Sequence, residues 1–148
     1  MSNILHLVLI PIIVTGVVQI IKFFSGFLET GKVDWKRIGE YGGMPSGHTA
    51  IVTSFAAEVG IIEGFGSTAF GIALILMIVV IRDAVGLRRH LSDQAVLIKD
   101  LAKKHLPNHE TLSKIQTQIG HSGSEVLVSL VIATALTFLL HWGFKIII

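Results

Sequence analysis

The chain has 148 residues, 51% of them hydrophobic and only 15% charged, with a formal net charge of +2 and no cysteine. One domain fits that length, and so apolar a composition excludes an ordinary soluble domain. The missing cysteines exclude disulfides, thiolate metal sites and a thiol nucleophile, while basic residues placed in loops rather than on one stripe exclude nucleic acid as the expected partner and favour membrane lipid.

In chain order, the first apolar run, Ile4 to Leu28, is long enough to cross about 30 Å of hydrocarbon, which takes roughly 20 residues. It starts without a basic leader or a small-residue cleavage signal, so a retained span is expected rather than a signal peptide. The run Thr49 to Ile62 is shorter and carries Glu58, an acid that is costly in hydrocarbon unless it reaches water at the outer interface. Glu63-Gly64-Phe65-Gly66 then suits a tight turn into a third run, Ser67 to Ile81. Val126 to Phe144 makes the last. The expected fold is therefore all-α, a polytopic membrane protein with about four transmembrane helices.

Basic residues set the expected orientation. Lys22, Lys32, Lys36, Arg37, Arg82, Arg88, Arg89, Lys99, Lys103, Lys104 and Lys114 are eleven of the twelve, and four spans put them all at one face, leaving Lys145 opposite. The positive-inside tendency assigns that face to the cytoplasm and both termini to the outside of the cell's inner (plasma) membrane. Between Leu91 and Gly120, Leu91, Ala95, Ile98, Ala102 and Leu106 form one helical stripe. Pro107 and Asn108 break it, and Leu112, Ile115 and Ile119 begin a second. A cytoplasmic amphipathic helical hairpin is expected, lying on the membrane face or packed on a second copy in a homodimer.

Three short stretches at that face can carry chemistry. In Gly42-Gly43-Met44-Pro45-Ser46-Gly47-His48-Thr49-Ala50, Ser46 is placed to cap a helix whose open NH groups and positive dipole end favour an anion, with His48 in the first turn. A plain helix cap would need only Pro45 and Ser46. Next, Arg82, Arg88 and Arg89 offer the fork geometry that matches phosphate, with Asp83 orienting one of them and Gly86 at a bend; lipid-anchoring arginines are the alternative. Third, His121 and Glu125 are four apart, so on a helix they stack and the carboxylate fixes the imidazole tautomer, unless Glu125 only caps the helix dipole. No set of metal ligands is read from the spacing.

These stretches, taken in order, resemble the divergent membrane branch of the type-2 phosphatidic acid phosphatase and vanadium-dependent haloperoxidase superfamily. The likeness rests on Pro45-Ser46-Gly47-His48, on Arg82-Asp83-Ala84 with Gly86, Arg88, Arg89, Gln94 and Ala95, and on Gly120-His121 with Glu125-Val126. It implies one membrane-embedded phosphatase-like domain over 1–148, with 91–120 as an insert, that hydrolyses a lipid phosphate monoester or pyrophosphate without metal or cofactor. By the same likeness His48 protonates the leaving oxygen, His121 attacks phosphorus and Glu125 orients it, with glutamate where aspartate is usual. Phosphate contacts fall to Lys22, Arg37, Ser46, Gly47, Arg82, Arg88 and Arg89. The superfamily's Arg-Pro pair, and the Ser-Arg that precedes its nucleophilic histidine, are missing here. The competing expectations are a non-catalytic lipid-phosphate binder or transporter using the same pocket, and an assembly protein that holds a partner on its hairpin.

Overall fold

The computed structural model describes residues 3–31, 43–106, 110, 112, 115–117 and 119–147. Five helices follow one another: α1 (Asn3–Thr30), α2 (Gly47–Glu63), α3 (Thr68–Val85), α4 (Leu87–His105) and α5 (Gly123–Ile147). No strand occurs among the described residues. Arg37, Gly42, Pro107, Asn108 and the lysines at 32, 36 and 114 lie outside them.

Among the described residues, three stretches are long and apolar enough to cross a membrane: Asn3–Leu28, Thr68–His105, in which α3 runs on into α4, and Gly123–Lys145. With 17 residues, α2 extends about 26 Å at 1.5 Å per residue. It nevertheless reaches from one end of the bundle to the other. Its N-terminal His48 lies beside His121, at the start of α5, and its Glu58 lies beside His6 of α1 and His141 of α5. Thus α1 and α3 run one way, α2 and α5 the other. The start of α1 and the end of α5 share the Glu58 end.

Packing places α2 at the centre, in contact with α1, α3 and α5. Its buried face is made of small and polar residues: Thr49, Ala50, Thr53, Ser54, Ala56, Gly60 and, among them, Glu58. Ser129, Ala133 and Thr137 answer from α5, all fully buried. Small side chains let helix backbones approach closely in lipid, and hydroxyls hold them there. Thr137 Oγ1 donates to Ser54 Oγ at 2.7 Å, and the Ser46 amide donates to Ser129 Oγ. Large apolar residues face outward instead, as Ile72, Ile75, Ile78 and Val79 do on α3, which is the pattern of a protein solvated by hydrocarbon.

The ends of the elements follow local rules. Ser67 Oγ accepts from the Phe70 amide at 3.1 Å and so caps α3, and Gly64, with φ +92°, makes the tight turn after α2. The first arm of the expected hairpin is α4, which has no buried residue and touches only α3 among the helices. The described residues 115–117 and 119 on the return limb are not helical. Their backbone groups bond to α4: Ser92 Oγ accepts from the Ile119 and Gly120 amides at 2.9 and 3.0 Å, and Lys99 Nζ donates to the Ile115 carbonyl. The spacing of Leu112, Ile115 and Ile119 therefore does not continue as the second helical stripe expected from the sequence.

Candidate functional site

The candidate residues of the three stretches lie at helix ends, while Lys22 belongs to the body of α1. The loop before α2 is tied to α1 where Ser25 Oγ donates to the Met44 carbonyl at 3.1 Å, and Gly43 turns with φ +81°, its Cα so close to the Lys22 stem that a Cβ would lie 3.2 Å from Cε. The Met44–Pro45 bond is cis. Ser46, fully buried, accepts at 3.3 Å from the Thr49 amide and at 3.1 Å from the Thr49 hydroxyl. It caps the helix, as expected. A Cβ on Gly47 would lie 2.7 Å from Gln19 Nε2, so this glycine lets α1 and the start of α2 close together.

His48 then sits in the first turn of α2, one residue before the apolar run, with its side chain open to solvent on one side. Its ring lies 6.5 Å from that of His121, centroid to centroid. His121 is almost wholly buried and is fixed from two directions. Its amide donates to the Ala84 carbonyl of α3 at 3.0 Å, and its Nδ1 lies 2.9 Å from Glu125 Oε2. A carboxylate only accepts, so Nδ1 carries a proton, and in the neutral ring the lone pair is on Nε2. The Ser122 amide donates to the same Glu125 oxygen at 3.3 Å. Glu125 thus orients the imidazole as well as standing in the first turn of α5.

The arginine stretch joins this pair through Arg88. Its Nε donates to Asp83 Oδ2 at 2.6 Å, so Asp83 orients an arginine as expected. Partial enclosure, then the charge of Arg88 and the His121 ring, hold the His48 pKa below the ordinary histidine value; Lys22 acts in the same sense and Asp83 opposes it. These effects identify Lys22, Asp83, Arg88 and His121 as the electrostatic neighbours of His48. Arg82 and Arg89 are exposed and are not among those neighbours. Gly86 ends α3, and a Cβ there would meet the Arg82 carbonyl oxygen at 2.8 Å. Arg37 lies outside the described residues.

Sequence reasoning missed several positioning groups. Ser92, whose hydroxyl holds the amides of residues 119 and 120, and Gly120, where a Cβ would lie 2.6 Å from the Arg89 nitrogen, together set the approach to His121. A glycine directly before a histidine was the available signal. The other end of the bundle holds a second cluster. Glu58, fully buried, has Oε1 2.8 Å from His141 Nδ1 and 3.9 Å from His6 Nδ1. Its side chain has no accessible surface.

The model of the Divergent PAP2 family matches residues 4–136. A relative from Bacillus subtilis (strain 168), described as the uncharacterized membrane protein YuiD, is 31% identical over 138 residues, covering 85% of this chain and 87% of its own. No solved structure matches.

Proposed function

The chain belongs to the Divergent PAP2 family, and on that premise we propose that it is a lipid phosphate phosphatase working without a metal at the phosphoryl group. The observation that carries this reading is the His121–Glu125 pair, 2.9 Å apart, with the His48 ring 6.5 Å from that of His121. One phosphoryl group reaches both rings. Lys22, Arg88 and the positive dipole end of α2 supply charge for the equatorial oxygens.

Nε2 of His121 attacks phosphorus, forming an N–P bond as the bond to the leaving oxygen breaks, and His48 gives that oxygen a proton. Neutral His48 then takes a proton from water, whose oxygen displaces His121 and releases inorganic phosphate. The substrate is a lipid phosphate monoester or pyrophosphate of the bilayer. The active face is cytoplasmic in an inner-membrane protein with both termini outside, a reading supported by the basic residues at that end and by the two termini sharing the other. The apolar residues exposed along α4, among them Leu97 and Leu101, suit a helix lying on the membrane face or covered in a homodimer.

A phosphate-release assay on purified protein tests this against phosphatidate, phosphatidylglycerophosphate and polyprenyl phosphates. Release from at least one lipid is expected, with vanadate inhibiting, His121→Ala inactive and His48→Ala strongly impaired. A second reading, a binder or transporter that uses the same pocket without catalysis, is favoured by the exposed positions of Arg82 and Arg89, which leave Arg88 as the arginine of the 82–89 stretch that acts on His48. Saturable lipid-phosphate binding with no release across the panel would establish it.

A further inference from the structure

The cluster at the far end of the bundle is built from three helices. His6 comes from α1, Glu58 from α2 and His141 from α5. Ten residues separate Glu58 from His48 along α2, about 15 Å at the helical rise, so the phosphoryl chemistry proposed above makes no use of it. Both histidines turn Nδ1 toward the same carboxylate oxygen, and the three donor atoms lie within 4.8 Å of one another. The two rings meet edge to face at 5.8 Å.

A hydrogen-bonded pair explains only part of this. Glu58 Oε1 needs one imidazole, and His141 provides it at 2.8 Å; a second imidazole converging on that oxygen is then surplus. Meanwhile Glu58 Oε2 is buried with no hydrogen-bond partner among the described residues, and an unsatisfied carboxylate oxygen in an apolar bundle is expensive. The cluster also opens on a cleft of about 350 Å³ lined by His6, His141, Asn3, Ile61, Phe144 and Lys145. That cleft provides an entry path and room for water.

We propose that His6, Glu58 and His141 bind a divalent transition metal, Zn²⁺ by the chemistry of the donors, with water from the cleft as fourth ligand. Two imidazoles and one carboxylate select zinc over the hard cations Mg²⁺ and Ca²⁺, which take oxygen ligands. Tetrahedral bonds of about 2.0–2.1 Å put donors roughly 3.3 Å apart, so the present spacings of 2.8 and 3.9 Å bracket what the ion needs. Glu58 Oε2 gains a partner from the ion or its water. The metal clamps the ends of α1, α2 and α5 together.

Chelator-stripped, full-length protein in detergent is titrated with ZnCl₂ by calorimetry, with metal content measured after desalting and Co²⁺ absorption reporting the coordination. One Zn²⁺ per chain and a raised thermal midpoint are expected. Glu58→Gln and the partly exposed His6→Ala should each bind more than about 100-fold more weakly, since losing even an outer-shell partner costs about 10- to 100-fold. His121→Ala should bind as wild type does, which separates this site from the phosphatase reading. Wild-type protein without saturable binding at one per chain, or a folded His6→Ala that binds zinc as tightly as wild type, would overturn the proposal.

Discussion

In the proposed reaction His48 and His121 take different parts because their surroundings differ. His121 is buried and donates Nδ1–H to Glu125, which in the proposed reaction leaves Nε2 for attack, whereas partial enclosure first, and then the charge of Arg88, lower the pKa of His48. The sign of the pH dependence follows. A leaving-group acid must be protonated, so in the free protein kcat/KM falls as pH rises through a pKa below the ordinary histidine value of about 6.5. A bound phosphate adds negative charge and raises that pKa, so the alkaline limb of kcat lies at higher pH than that of kcat/KM. Rates measured across pH should show this offset, and the limb should vanish in His48→Ala, with activity lower by about 10²–10⁴-fold. Coincident limbs would remove His48 from the acid role. Glu125→Gln keeps the helix but loses the tautomer control, and should lower kcat by up to about 10⁴-fold, as loss of an orienting carboxylate does in a serine triad.

At the scale of elements, the site depends on two close approaches. The first is at Gly120, where a Cβ would lie 2.6 Å from the Arg89 nitrogen and 2.7 Å from its Cα. Backbone cannot move aside as a flexible side chain can, so Gly120→Ala should displace the start of α4 or the backbone leading to His121. A fall in both kcat and thermal midpoint is expected, against little change in Gly123→Ala, where nothing lies within 4 Å. The second is the α2–α5 seam. Thr137→Val removes the bond to Ser54, and unfolding in detergent should show a loss of about 1 kcal/mol with activity kept. Much of this level was readable beforehand: the apolar runs predicted α1, α3 and α5, Ser46 announced the cap of α2, and Gly64 marked the turn. The return limb was not, because Leu112, Ile115 and Ile119 have helical spacing while the amides of Ile119 and Gly120 bond to Ser92, 27 and 28 residues back in the chain. The partners of Glu58 were equally hidden, since His141 is 83 residues away and no local period links the two.

For the whole molecule, the antiparallel order of the four bundle helices brings residues far apart in the chain to two opposite ends. One end collects His48, His121, Glu125, Lys22 and Arg88; the other collects His6, Glu58 and His141 with the start of α1 and the end of α5. Because the chain has no cysteine, single cysteines at positions 103 and 145 give a clean reading of orientation. A membrane-impermeant thiol reagent on intact cells should label position 145 and spare 103, and the reverse pattern would turn the active face outward.

The central claim is that His121 forms a bond to phosphorus. Protein mixed with a lipid phosphate that it hydrolyses, quenched rapidly in alkali and digested for mass spectrometry, should carry phosphate on His121 and on no other histidine. His121→Ala should neither carry it nor release phosphate. Undiminished phosphate release by folded His121→Ala protein would contradict the account.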